Sequence, residues 1–282
     1  MTAKKELKML QLKQRNNGFK IAVLGATFMM GAGLASAQAD EASIAKGYEI
    51  AARSDRSDNG FASSEVSAVM TLTNKAGRST TRELSFKTLE RENENVGDKG
   101  LTVFSTPRDV KGTALLSHAQ ILEPDTQWLY LPALKRVKRI SSANKSGPFV
   151  GSEFAFEDFT STELNKYSYD YKGEETLNGV KVDVVERFPL YKNSGYKRQV
   201  AFIEQETYQV RKIDFYDRKG AHLKTLSLTD LREYAGGIWR AHTLTMVNHQ
   251  TGKSTTLSYS DYKFKTGLTD ADFVKGILKR IR

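Results

Sequence analysis

Residues 222–264 read HLKTLSLTDLREYAGGIWRAHTLTMVNHQTGKSTTLSYSDYKF. Apolar and polar side chains alternate along this stretch, which is the pattern of strands that bury one face only. Gly236-Gly237 and residues 250–253 interrupt the alternation at two points. The stretch therefore predicts three strands, and the short connections between them make neighbouring strands antiparallel.

The same alternation extends over most of the chain. Val66, Ala68, Met70 and Leu72 occupy every second position of one segment. Asn178-Gly179, between two further alternating segments, is a strong signal for a two-residue hairpin. Counted along the whole sequence, these patterns predict about eleven strands in a mainly antiparallel sheet.

Two helices and one long loop complete the expected fold. Residues 38–60 and 269–281 have helical spacing of apolar residues, and the Phe-rich residues 141–166 predict a long ordered loop. A long sheet with one apolar face must curl or be covered, and closing it would enclose more volume than side chains easily fill. We expect a mainly β (α+β) fold, in which a large curved antiparallel sheet forms an unclosed half-barrel and the helices cover its apolar concave face.

The first 37 residues predict a secretory signal peptide. Six basic residues precede an uncharged run at 21–34, and Ala35-Ser36-Ala37 is a small-x-small cleavage site. The run is shorter than the roughly 20 residues that a membrane-spanning helix needs. We therefore expect a periplasmic protein that does not span the membrane, with one domain at 38–282.

Removal of this segment would change the charge. Six of the 43 Lys and Arg residues and one of the 33 Asp and Glu residues lie before Gln38, so the formal charge falls from +10 to +5. Half of the basic excess thus belongs to the export signal, and nucleic acid is not an expected partner. The chain has no cysteine, which excludes disulfides, thiolate metal sites, a cysteine nucleophile and a lipid-modified N-terminal cysteine.

No catalytic motif is present in the predicted mature chain. It has no GxSxG, Walker A or GxGxxG sequence. The four histidines, His118, His222, His242 and His249, are not spaced as metal ligands are. We predict no enzyme, no metal site and no cofactor. Glu153, Glu157 and Asp158 could still form a carboxylate pair for acid–base catalysis. The plainer interpretation is that these carboxylates face water while the neighbouring phenylalanines face inward.

Two further features are open to alternative interpretations. The basic run at 135–139 is either a solvated strand edge that prevents association of sheets or a contact for phosphate or acidic headgroups. The aromatic residues around the Gly-containing loop are either core or the lining of a ligand mouth.

Three segments resemble the LolA-like family of outer membrane lipoprotein-sorting proteins. They are residues 128–140 (WLYLPALKRVKRI), residues 149–159 (FVGSEFAFEDF) and, upstream, residues 107–116 (PRDVKGTALL). Residues 212–220 and Trp239 fit the same pattern. The resemblance covers nearly the whole predicted mature chain.

The resemblance implies a half-barrel whose apolar cavity takes acyl chains. It implies a periplasmic carrier or chaperone that binds lipid, or the acyl chains of lipoproteins, for transfer toward the outer membrane. We expect this carrier to be a monomer. The alternative is an accessory or regulatory module for an RND/MMPL-type exporter of the inner membrane or for a stress sensor. Arg136 and Arg139 are the candidate contacts for a headgroup or a partner. The candidate cavity residues are Leu84, Phe86, Trp128, Tyr130, Phe149, Phe154, Phe156 and Phe159.

Overall fold

A computed structural model describes residues 31–91, 96–121, 123–160 and 163–281. The chain divides into two compact units, Met1–Gln38 and Ala39–Arg282, and all of the strands lie in the second. Most of the predicted signal peptide, up to residue 30, lies outside the described residues, so it stays a prediction.

One α-helix precedes a long series of strands. Helix α1 spans Gly31–Ser57. The strands are β1 Ser63–Thr73, β2 Ser79–Leu89, β3 Val96–Thr106, β4 Ala114–Gln120, β5 Thr126–Leu131, β6 Arg136–Ile140, β7 Tyr167–Leu177, β8 Val180–Pro189, β9 Tyr196–Glu204, β10 Val210–Asp217, β11 His222–Tyr234, β12 Ile238–Asn248 and β13 Lys253–Phe264. No helix among the described residues is long and apolar enough to cross a bilayer.

All thirteen strands form one sheet in the order β6-β5-β4-β3-β2-β1-β13-β12-β11-β10-β9-β8-β7, and each pair of neighbours is antiparallel. The first and last strands of the series pair with each other in its middle. The edges, β6 and β7, are consecutive in sequence and run in the same direction along the sheet, so they cannot pair in the antiparallel sense. The unclosed antiparallel sheet is confirmed. The predicted count of about eleven strands was low, since the sheet has thirteen.

The predicted C-terminal helix is wrong. Residues Asp270–Phe273 and Lys275–Lys279 form two short 3-10 segments instead, separated by Val274 in an extended conformation. The break lets Phe273 and Leu278 both reach full burial against one face of the sheet. That face carries Leu116, Trp128 and their neighbours on β2 to β6, and we call it the outer face.

The opposite, inner face is filled by the segment that joins the two edges. Residues 141–166 fold back on themselves, and the N–H of Phe149 donates to the carbonyl of Phe154 across 2.7 Å. Phe149 has no exposed surface, and its ring lies 4.3 Å from that of Phe159 and 5.6 Å from that of Phe104 on β3. The long ordered loop is therefore confirmed, and it supplies the aromatic core between the two halves of the sheet.

A buried ion pair fixes this segment to the sheet. The ammonium of Lys224 on β11 lies 2.7 Å from Asp158 and also donates to the carbonyl of Glu153 at 3.0 Å. Asp158 accepts two more hydrogen bonds, from the hydroxyl of Tyr196 and from the N–H of Ala155. Because the Lys224 side chain is only 4% exposed, its charge depends on these partners.

Removing Lys224 should therefore be costly. We predict that Lys224→Met lowers the free energy of unfolding by about 3–5 kcal/mol, because it leaves the Asp158 carboxylate buried without its counter-ion. Urea denaturation measures this. The control is Lys172→Met, which breaks an exposed pair with Asp170 and should cost less than about 1 kcal/mol. Equal losses in the two variants would contradict the role given to Lys224.

Candidate functional site: a cavity between helix α1 and the sheet

Helix α1 lies across the inner face of the strands from β7 to β13. The hydroxyl of Ser43 donates to the carbonyl of Tyr171 on β7 at 2.8 Å. Gly47 lets the helix approach this strand closely, since a Cβ atom there would lie 3.0 Å from the backbone nitrogen of Tyr171. Near its C-terminal end, Ser57 accepts a hydrogen bond from Gln209 in the β9–β10 turn. The helix is thus tied to the sheet near its middle and at its C-terminal end, and the part between these contacts spans a gap.

The gap is a cavity of about 400 Å³. This volume lies in the range of roughly 300–1,000 Å³ that small-molecule sites occupy. Val185, Ala201 and Ile213 lie side by side on β8, β9 and β10, and the small side chain in the middle leaves space. Apolar side chains of both the helix and the sheet complete the wall, among them Ala51, Ile203, Val210, Leu228, Leu231, Trp239, Ala241 and Leu244.

One end of the cavity is polar. Its lining there includes Asp55, Asp58, Asp98 and Arg240. The guanidinium of Arg240 pairs with Asp58 and lies 4.9 Å from the centre of the Phe61 ring. Among the described residues, no basic side chain lies within 4.0 Å of the carboxylates of Asp55 and Asp98.

Two carboxyl groups, those of Asp98 and Glu163, have pKa values above their usual range. Burial raises the pKa of Asp98 to about 6, and the nearby carboxylates of Glu90, Asp58 and Asp55 add to the effect, while the backbone N–H of Arg91 opposes it. Burial also raises the pKa of Glu163 to about 7, against the attraction of Lys166.

A second cavity of about 290 Å³ adjoins the first. Asp58, Phe61, Asp98, Arg240, Tyr259 and Tyr262 line both. Phe86 and Phe159, two of the residues predicted as ligand contacts, lie in the wall of this second cavity. The two cavities of the inner face thus share the charged residues Asp58, Asp98 and Arg240.

The other predicted cavity residues lie in the core or on the opposite face. Leu84, Phe149 and Phe154 are fully buried in the core beside the cavities, and Phe156 packs against them. Trp128 and Tyr130 point to the outer face, where the C-terminal segment covers them, and line neither cavity.

The sequence did not identify the residues of α1, β8 to β10 and β12 that form the main cavity. Their alternation predicted strands and a helix, but no signal showed which small residues would leave a gap. The candidate headgroup contacts, Arg136 and Arg139, are exposed on the edge strand β6, away from both cavities.

The three carboxylates considered for catalysis have structural partners. Glu157 accepts hydrogen bonds from the hydroxyls of Ser194 and Tyr191 and from the N–H of Gly195. Glu153 accepts one from Asn248, and Asp158 pairs with Lys224. The expectation that these groups face water is therefore wrong for Glu157 and Asp158. In the described part of the chain, no three His, Cys, Asp or Glu side chains are grouped as a metal site would require.

The raised pKa values predict a dependence of stability on pH. A carboxyl group with a higher pKa in the folded than in the unfolded state binds more protons when folded, so stability falls as pH rises from about 4 to about 7. Asp98→Asn removes one such group and keeps an acceptor for the N–H of Arg91. We expect it to increase the free energy of unfolding at pH 8 by about 1–2 kcal/mol, as measured by urea denaturation.

The matched control is Asp109→Asn, at an exposed position. It should leave the stability at pH 8 unchanged and should keep the decline of stability between pH 5 and pH 7. An Asp98→Asn variant that is no more stable than the unmodified protein at pH 8 would contradict the assignment.

Comparison with known proteins identifies the family to which the chain is similar. The model of the family described as a protein of unknown function (DUF1329) matches residues 3–178. A second family model, described as an uncharacterized protein, matches residues 97–280. No curated protein matches the chain.

Solved structures give closer relatives. A domain named as an outer membrane lipoprotein-sorting protein, from Vibrio parahaemolyticus, is 52% identical, and the match covers 84% of this chain and all of that one with a TM-score of 0.81. A DUF1329 family protein from Desulfovibrio piger is 29% identical, with coverage of 84% and 99% and a TM-score of 0.79. A LolA superfamily protein from Nitrosomonas europaea is 19% identical, with coverage of 81% and 97% and a TM-score of 0.65.

The last likeness concerns the fold alone, whereas the first two extend to the sequence. The chain therefore belongs to the DUF1329 family and has the fold of the LolA superfamily.

Proposed function

We propose that this protein is a periplasmic carrier that holds an acyl chain of a lipid or lipoprotein in the cavity between α1 and the sheet. The observation that carries the proposal is the cavity itself: much of its wall is apolar, helix α1 covers it, and Asp55, Asp58, Asp98 and Arg240 form a charged group in its lining. An amphiphile has the same distribution, with a long apolar chain and one polar end.

Hydrophobic burial supplies enough free energy for such binding without covalent chemistry. Each buried methylene contributes about 0.8 kcal/mol, so ten of them give a gross gain of about 8 kcal/mol.

The export signal predicted at residues 1–37 and the name of the Vibrio parahaemolyticus relative support a role in the periplasm. In this proposal the exported protein is a monomer of residues 38–282, acts without catalysis, and moves its cargo toward the outer membrane. An RND/MMPL-type exporter of the inner membrane is the proposed donor.

A bulky residue inside the cavity should prevent binding. Ala51 on α1 lines the cavity, whereas Ala45 on the same helix is exposed. We predict that Ala51→Trp weakens the affinity for a dansyl-labelled fatty acid by about tenfold or more, because the indole occupies the space of the chain. Fluorescence titration measures the affinity.

Ala45→Trp is the control, since it changes helix propensity by the same amount. It should bind the probe as the unmodified protein does. If the two variants bind equally well, the ligand lies elsewhere, and if the unmodified protein takes up no acyl probe, the carrier proposal fails.

A further inference from the structure

The strands from β12 to β6 carry basic turns at one end. In an antiparallel series, alternate turns lie at the same end of the sheet. The turns at 74–78, 107–113, 132–135 and 249–252 share one end, and we call them, together with Lys253, the basic rim. Its basic residues are Lys75, Arg78, Arg108, Lys111, Lys135 and Lys253, and Asp109 is its one acidic residue.

The opposite end of the same strands lacks this excess of basic residues. Among its described turn residues, Asp58, Glu90, Glu123 and Asp125 are acidic, and Arg91 and Lys265 are basic. The sheet is therefore polarised along its strands. This separation arises from the positions of the charged residues along the strands and not from the net charge of +5 of residues 38–282.

The charges of the basic rim are not neutralised within the protein. Fourteen ion pairs occur among the described residues, and none involves a basic residue of the rim. Some basic residues on the strands, such as Lys87, Arg198 and Lys212, do pair with a carboxylate. Six unpaired cations at one end of a sheet favour an anionic partner.

The turns of the rim contact each other in two pairs, and one turn carries an exposed apolar residue. A Cβ atom on Gly112 would lie 3.2 Å from Pro132, and one on Gly252 would lie 3.2 Å from Lys75. Leu134 at the tip of the β5–β6 turn is 61% exposed, beside Lys135 and Arg136. Exposed leucine among lysine and arginine is typical of surfaces that rest on membrane headgroups.

A cleft in the rim is suited to a phosphate group. It has a volume of about 450 Å³ and lies between the β1–β2 turn and Gly151. Arg78 and Lys253 line it, together with Glu153, whose carboxylate is held by a hydrogen bond from Asn248 at 2.7 Å.

We infer that the basic rim is a docking surface for an anionic membrane, with phosphate headgroups between Arg78 and Lys253 and Leu134 in contact with the headgroup layer. Asp58, Asp98 and Arg240 of the acyl cavity lie toward the opposite end of the strands, so docking through the rim leaves these residues away from the bilayer. The inference does not depend on acyl binding, because it concerns a different surface.

Sedimentation with vesicles tests the inference. The purified protein should sediment with vesicles of phosphatidylglycerol and phosphatidylethanolamine, but not with phosphatidylcholine vesicles, and salt should weaken the binding. The triple variant Lys75→Gln/Lys111→Gln/Lys135→Gln should lose about a hundredfold in affinity. Leu134→Ser alone should weaken binding at physiological salt.

The control is Lys181→Gln/Lys263→Gln/Lys265→Gln, which removes the same charge from exposed positions outside the rim. It should bind the anionic vesicles within about twofold of the unmodified protein. Equal losses in the two triple variants would show that net charge alone drives binding and would overturn the inference. Lack of binding to anionic vesicles at low salt would overturn it as well, and would point to an acidic protein as the partner of the rim.

Discussion

The packing of one loop inside an unclosed sheet determines the rest of this structure. Thirteen strands that pair only in the antiparallel sense leave two edges that cannot join. The sheet curls around apolar side chains that water would otherwise reach. Residues 141–166, which connect the two unpaired edges β6 and β7, provide these side chains. Phe149 and Phe154 form the centre of this core, and the Lys224–Asp158 pair holds the segment in position. If the loop were displaced, the inner face would lose both its filling and its shape.

This packing divides the interior into two regions. The phenylalanine segment occupies the end that carries the basic rim, where Glu153 reaches Asn248 and Thr255. Helix α1 covers the other region without filling it, because small residues such as Ala51 and Ala201 face each other across the gap. The protein thus combines one end that carries the basic rim with another end, the hollow end, where the space under α1 can take a ligand. The excess of basic turn residues is confined to the rim.

The sequence predicted the fold better than it predicted the site. Period-two alternation identifies strands because it reflects the geometry of a pleated backbone, and the motif at 149–159 indicated the role of the loop. Alternation does not say which of two apolar faces becomes the interior. Trp128 and Tyr130 were expected at the ligand and lie on the outer face, because the C-terminal segment covers that side as well. The cavity depends on where packing fails, at Ala201 and Ala51, and local patterns contain no information on such gaps. The prediction of a C-terminal helix was wrong for a local reason. The extended conformation of Val274 lets Phe273 and Leu278 both become buried.

The central claim is that the hollow end carries an acyl chain in the cell. Native mass spectrometry of the protein isolated from the periplasm, without detergent, tests it most directly. The account predicts an intact complex whose added mass dissociates as an acyl-bearing lipid and which the Ala51→Trp variant does not retain. Recovery of the protein without any added mass, together with failure to take up lipid from vesicles, would contradict it.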